Sequence, residues 1–286
     1  MVGSEFVKQK WEKIITSKRG IFDVNLKEVF KYKDLIFMFV KRNFKSSYKQ
    51  TILGPLWYII APLITSVLFT VVFGKIANIS TDGVPQFLFY MAGNTVWHYF
   101  STCLISTSNT FTSNSHLFGK VYFPRLTMPI STVIYSAISF LIQFVIFVGF
   151  LVYFIAVGEA VKPNVYMLLL PVFVLHMAAM GMGFGIIISS LTTKYRDLKV
   201  LLNFGVQLWM YITPIVYPVS TLSQNTKAII MLNPMAPVVN NFKFAFLGCG
   251  QMEWGYWIIS AIINLFVLVL GILLFNRVEK NFMDTV

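Results

Sequence analysis

Four long stretches of this 286-residue chain, residues 52–74, 129–157, 165–191 and 254–275, are apolar and carry no Asp, Glu, Lys or Arg. About 20 apolar residues suffice for a helix to cross a bilayer. A chain with several such runs is read as an integral membrane protein. Hydrophobic residues make up 57% of the sequence and charged residues 12%, against roughly 25% charged in soluble domains. A net charge of +12 would suit a nucleic-acid binder, but these charges gather at one end and in alternate connections, so nucleic acid is not expected as a partner. The first apolar run begins late, after a long basic segment, unlike a secretory signal. Cys103 and Cys249 are too few for a disulfide framework.

Six transmembrane spans are expected, at residues 52–76, 85–108, 129–157, 165–191, 200–217 and 254–275. The second is rich in polar groups and should face protein or an aqueous path. The fifth is short and ends at Pro214 and Pro218. Lys and Arg set the orientation. Of 23 basic residues, only Lys75, Lys162, Lys227 and Lys243 fall in the connections opposite the N-terminal arm. Both termini are therefore expected in the cytoplasm.

Residues 228–247 are apolar enough to suggest a seventh span, but Asn233, Pro234, Pro237, Asn240, Asn241 and Lys243 interrupt them. Such breaks leave backbone groups that lipid cannot satisfy. Two re-entrant extracytoplasmic half-helices between spans 5 and 6 are expected instead, of the kind that line a cavity. The domain plan is a cytoplasmic arm (1–51), a six-helix all-α membrane domain (52–276) and a cytoplasmic tail (277–286). Within the membrane domain lie a cytoplasmic connection (109–128) and a Pro-broken segment (218–250).

Residues 26–44 read as an amphipathic interface helix, with Val29, Phe30, Ile36, Phe39, Val40 and Phe44 at helical spacing among lysines. Simple anchoring to anionic lipid explains it. A sharper expectation is that Arg42, Lys45 and Lys49 meet lipid-linked phosphates.

Apart from Lys75 at the outer end of the first, no expected span contains Asp, Glu, Lys or Arg. Ion-coupled carriers usually need such groups in the membrane. Membrane enzymes need a carboxylate pair, a metal cluster or an activated nucleophile, and no such constellation is visible. No G-x-x-x-x-G-K-[ST] phosphate loop occurs, so ATP-driven work would require a separate motor chain. Gly181 and Gly185, with Ala178, have the spacing of a close helix-packing face. The 109–128 connection, with His116, Leu117, Lys120, Tyr122, Phe123 and Arg125, is expected to be a short helix whose exposed aromatic and apolar groups enter a partner's groove. An ordinary interfacial loop is the plainer reading.

Four stretches carry a family resemblance: RNFKSSYKQTILGPLW at 42–57; YFPRL at 122–126; YRDL at 195–198 with TPIVYP at 213–218; and LNPMAP at 232–237 with FLG at 246–248. In this order the chain resembles the permease subunit of ABC-2 type exporters of cell-surface polysaccharide (O-antigen, capsule and teichoic acid). Ser46 and Ser47 stand where many relatives carry a bulkier or basic residue. The resemblance implies a homodimer in a bacterial cytoplasmic (inner) membrane, with two copies of a nucleotide-binding ATPase that carries the ATP and Mg; the permease itself has no cofactor and is not an enzyme. It also implies a polyprenyl-pyrophosphate-linked glycan as substrate, coupling through 109–125, and an extracytoplasmic gate segment at 218–250, the gate residues being Pro214 just before it and Pro218, Asn233, Pro234 and Pro237 within it.

A glycan has polar hydroxyls and apolar C–H faces, so its path should combine aromatics with neutral hydrogen-bonding groups and release it easily. The expected path residues are Trp57, Tyr58, Tyr90, Asn94, Trp97, His98, Tyr99, Asn203, Gln207, Trp209, Tyr211 and Tyr217. An ABC-2 exporter of a drug or lipid without a glycan is the alternative.

Overall fold

The structure is a computed structural model that describes residues 26–48, 54–118, 120–121, 123–192, 195 and 197–285. The described residues form helices and connections, with no strand among them. The helices are α1 (Leu26–Lys31), α2 (Lys33–Tyr48), α3 (Trp57–Phe69), α4 (Gln86–Ser108), α5 (Thr110–Phe118), α6 (Thr127–Ala156), α7 (Leu170–Thr192), α8 (Leu198–Ile212), α9 (Gln224–Met231), α10 (Ala236–Leu247) and α11 (Trp254–Thr285). α3 continues as a π-helix over Thr70–Ile76. Residues 1–25 and 49–51 of the expected arm, including Lys49, lie outside the described residues.

Among the described residues, four helical segments are long and apolar enough to cross a membrane: Trp57–Ile76, Thr127–Ala156, Val165–Thr192 and Trp254–Val278. Six were expected, and two fall short for separate reasons. The second expected span is the 23-residue α4, which is long enough but too polar by composition. The fifth is α8, which ends after 15 residues because Pro214 follows. At 1.5 Å per residue that is about 22 Å, short of the roughly 30 Å hydrocarbon core. α9 and α10 have 8 and 12 residues, so neither spans by length.

α4 is the axis of the fold. It packs against α3, α6, α7 and α10, and most of its residues are buried, among them Leu88, Tyr90, Asn94, Trp97 and Phe100. α7 approaches it through glycines. A Cβ on Gly181 would lie 2.6 Å from Cys103 Cβ, and one on Gly185 would lie 2.6 Å from Thr107 Cβ. The opposite face of α7 meets α11, where a Cβ on Gly271 would sit 2.8 Å from the Gly183 carbonyl oxygen. Bare backbone on both faces lets α7 sit close between two helices without side-chain interference.

The two ends of the bundle differ in charge. At one end α1, α2, α5 and the later part of α11 share a cluster of Val29, Ile36, Phe39, Val40, Phe111, Phe118, Phe123 and Phe275. Of the expected amphipathic face, Val29, Ile36, Phe39 and Val40 are buried there, while Phe30 and Phe44 are exposed. Lys199 joins this end by donating to Thr112 Oγ1 at 2.7 Å. At the other end the α6–α7 connection caps α10. The Lys162 and Asn164 amides donate to the Leu247 and Ala245 carbonyls, both at 3.0 Å. The helix stops at Gly248 in the left-handed region (φ 76°). The Lys/Arg asymmetry of the sequence is thus a difference between a basic end and a Pro-broken end.

Gly185→Val should lower the thermal midpoint of the detergent-solubilised protein, with a loss of about 1–3 kcal/mol from overpacking. Gly205→Ala, where a Cβ meets nothing within 4 Å, should leave it unchanged. Equal midpoints would show that α4 and α7 do not depend on this approach.

Candidate functional site

Proline removes a backbone donor, so each break in a membrane-level helix strands a carbonyl. In a regular helix the amide of residue 218 would serve the Pro214 carbonyl, but residue 218 is proline. Lys243 Nζ donates to the Pro214 and Ile215 carbonyls instead, both at 2.8 Å. The ammonium also lies 3.5 Å from the centroid of the Phe89 ring, in cation–π contact. Lys243 is 3% exposed, so α10 presents a fully sheltered cation to the break at the end of α8.

The second break answers the first. Trp209 Nε1 donates to Asn233 Oδ1 at 2.8 Å, Asn233 Nδ2 donates to Thr213 Oγ1 at 2.9 Å, and Thr213 Oγ1 donates to the Trp209 carbonyl at 2.9 Å. These three bonds close a ring across the end of α8 and the α9–α10 turn. From the other side Ser260 Oγ donates to the Pro234 carbonyl at 2.5 Å. His176 Nε2 is 3.0 Å from the same hydroxyl; since the serine proton is already engaged, the imidazole is the donor. Each Pro-broken segment is thereby pinned by side chains of distant helices.

The expected gate residues meet here. Pro214, Pro218 and Pro237 are buried, while Asn233 is in the ring and the Pro234 carbonyl is bonded by Ser260. Lys243 was legible only as an interruption of an apolar stretch. The available signal was its isolation: it is the sole charge in residues 228–247, and lone charges at membrane depth are expensive unless paired.

The expected path residues divide by exposure. Tyr90, Asn94, Trp97 and Tyr99 are buried around α4, where Tyr90 contacts Phe69 and Phe73 and Trp97 contacts Phe100 and Trp209. They pack within the chain and present no surface. His98 is half-buried, with Nδ1 at 3.2 Å from Gln143 Nε2. Tyr58 is half-buried and hydrogen-bonds Tyr135. Tyr217 donates to the Ile212 carbonyl at 2.8 Å. Trp57, Asn203, Gln207 and Tyr211 are exposed. The last three stand four residues apart on one face of α8, whose only buried residue is Val206.

At the basic end, the connection expected to offer its aromatics to a partner folds Phe118 and Phe123 inward, and both are buried. They belong to a chain of rings in which Phe39–Phe123, Phe118–Phe123 and Phe111–Phe118 centroids lie 5.7, 5.7 and 5.9 Å apart, and Phe111 stacks on Phe275 at 4.5 Å. The reason is local: α2 lies across this connection and needs an apolar partner for its inner face. Arg125 lies 5.3 Å over Phe118, Leu117 is half-buried, and Lys120 and Val121 are exposed. Tyr122 and the His116 side chain lie outside the described residues.

Beside this cluster α2, α4, α5 and α6 enclose an open polar cleft of about 520 Å³. Arg42 lines it, 4.9 Å over the Phe39 ring and with Nη2 3.4 Å from Asn114 Oδ1. Lys45 is exposed on the same helix.

A model of the ABC-2 type transporter family matches residues 34–247. Among curated relatives, an "O-antigen export system permease protein RfbA" of Klebsiella pneumoniae is 25% identical over 253 residues, covering 88% of this chain and 94% of the relative. A protein of the same name from Myxococcus xanthus is 26% identical over 224 residues, covering 77% and 83% respectively.

Lys243→Met removes the ammonium but keeps the chain length. A charge-assisted bond contributes about 1.5–3 kcal/mol. Cys249, buried and lining the same small cavity as Lys243, should then react with a thiol reagent on the order of tenfold faster. Cys103, buried against α7, should remain unlabelled as an internal control. An unchanged Cys249 rate would show that the lysine does not hold the break closed.

Proposed function

Because the chain belongs to the ABC-2 type transporter family, we propose that it is the membrane-spanning permease subunit of an exporter of lipid-linked, O-antigen-like surface polysaccharide. It resides in the bacterial inner membrane as a homodimer, with both termini in the cytoplasm. Two copies of a separate ATPase supply the energy. The names of the curated relatives support the substrate class, and the basic end marks the cytoplasmic side by the positive-inside rule. α4 and α8 complete six spans, and α9 and α10 form the re-entrant pair.

One observation carries the export reading: Asn203, Gln207 and Tyr211 lie exposed along one face of α8. An amide turned to lipid without a partner costs roughly 2–7 kcal/mol. Two amides on one apolar helix therefore argue for a polar conduit over a lipid-facing surface. A conduit lined by neutral amides and an aromatic ring binds sugars weakly enough to let them move. Trp57, exposed on α3, belongs to the same kind of surface.

The rest of the mechanism follows from the two ends. Residues 109–125 and α2 receive the motion of the motors, and the ring chain from Phe39 to Phe275 passes it to α11. At the far end the Lys243 and Asn233 contacts release, the Pro-broken segments separate, and the polymer advances. Arg42, Lys45 and Lys49 meet the phosphates of the lipid carrier on the cytoplasmic side.

The double variant Asn203→Leu, Gln207→Leu should assemble with the ATPase normally yet export about tenfold more slowly, the loss of one or two modest hydrogen bonds. Undelivered lipid-linked glycan should accumulate inside the cell. Normal export would take α8 off the path.

A further inference from the structure

The polar cleft at the basic end differs in composition from its surroundings. Its lining is Arg42, Asn43, Ser46 and Ser47 from α2, Ser106 and Asn109 from α4 and its end, Ser113 and Asn114 from α5, and Met128, Thr132 and Tyr135 from α6. One residue in that set is cationic, none is acidic, and the others, Met128 aside, are hydroxyls and amides. Its volume falls in the range of about 300–1,000 Å³ common for small-ligand sites.

The groups are unequally engaged. Asn114 Nδ2 donates to the Thr110 carbonyl at 3.0 Å and Asn109 Nδ2 to the Ile105 carbonyl at 2.9 Å, which turns both amides toward their own helices. Ser47 donates to the Asn43 carbonyl and meets Tyr135 Oη at 2.6 Å. The hydroxyls of Ser46, Ser106 and Ser113 have no hydrogen-bond partner among the described residues. These three come from three different helices and border the same space as the guanidinium. A bare phosphate needs charge, and one arginine supplies it. Free hydroxyls on three sides serve a different chemistry, that of a polyol whose own hydroxyls both donate and accept.

We infer that this cleft is a binding site for a glycosyl phosphate headgroup: Arg42 takes the phosphate nearest the sugar, and Ser46, Ser106 and Ser113 take the hydroxyls of the first hexose. The inference rests on the phosphate-contact reading above and adds a selection for sugar-bearing carrier over bare carrier. The absence of acidic residues matters, because a carboxylate would repel the phosphate at this distance. A cleft built jointly by α2, α4, α5 and α6 also changes shape when those helices move, so occupancy and motor position are coupled.

The test measures binding of citronellyl diphosphate with and without one attached glucose, by calorimetry on the permease–ATPase complex in nanodiscs. The wild type should bind the glucosyl compound about tenfold more tightly, as two or three modest hydrogen bonds allow. Ser46→Ala, Ser106→Ala and Ser113→Ala combined should abolish that preference and leave the affinity for the bare diphosphate unchanged. Arg42→Gln should weaken both compounds equally. Equal wild-type affinities, or a preference that survives the triple variant, would overturn the sugar subsite while leaving the phosphate reading standing. Binding of neither compound would overturn both. A second measurement separates a ligand site from a protein-docking face. A Ser106→Cys variant should be protected from a polar maleimide by the glucosyl compound and remain reactive in the ATPase complex without it. Protection by the ATPase alone would assign the cleft to the motor interface and overturn the proposal.

Discussion

A helix broken by proline at membrane depth has to recover its lost hydrogen bonds from protein, because lipid offers none. Here the first break recovers them from α10, while the carbonyls at the second are taken up by nearby amides and by Ser260. The carbonyls freed at Pro214 and Ile215 accept from Lys243 on α10. The Asn233 amide, just before Pro234, bonds both Trp209 and Thr213 at the end of α8. The end of α8 is thus bonded both to α10 and to the α9–α10 turn.

The position of α4 follows from the same economy. Its amides, hydroxyls and aromatic rings are too polar for a lipid-facing helix, and the bundle encloses them with α3, α6 and α7. Enclosure at close range requires small residues on the neighbour, which Gly181 and Gly185 supply. Asn203, Gln207 and Tyr211 stay exposed on α8, where the helix is short and meets few neighbours.

The sequence made some of this legible and hid the rest for physical reasons. The glycine face of α7 was readable because helical spacing alone places Gly181 and Gly185 together. The breaks at 214–218 and 233–237 were readable because proline acts locally. Of the six expected spans, four qualify by length and apolarity among the described residues, while α4 and α8 do not, because a sheathed helix can be polar and a proline cuts α8 short. The aromatics of 109–128 were expected outside, but Phe118 and Phe123 turn in because α2 lies over them, a contact between segments some eighty residues apart. Tyr90, Trp97 and Tyr99 looked like a path because side-chain type does not disclose facing. Lys243 looked like an interruption because its acceptors lie nearly thirty residues earlier, at a turn whose position only the fold defines.

The mutual lock between the two breaks is most directly tested by closing it covalently. In a Cys249→Ser background, cysteines at positions 213 and 233 would replace the Thr213–Asn233 contact with a disulfide under oxidation. The oxidised complex should assemble with its ATPase and bind ATP yet export no glycan, and reduction should restore export. A complex cross-linked to completion that exports at the uncross-linked rate would show that these segments never need to part.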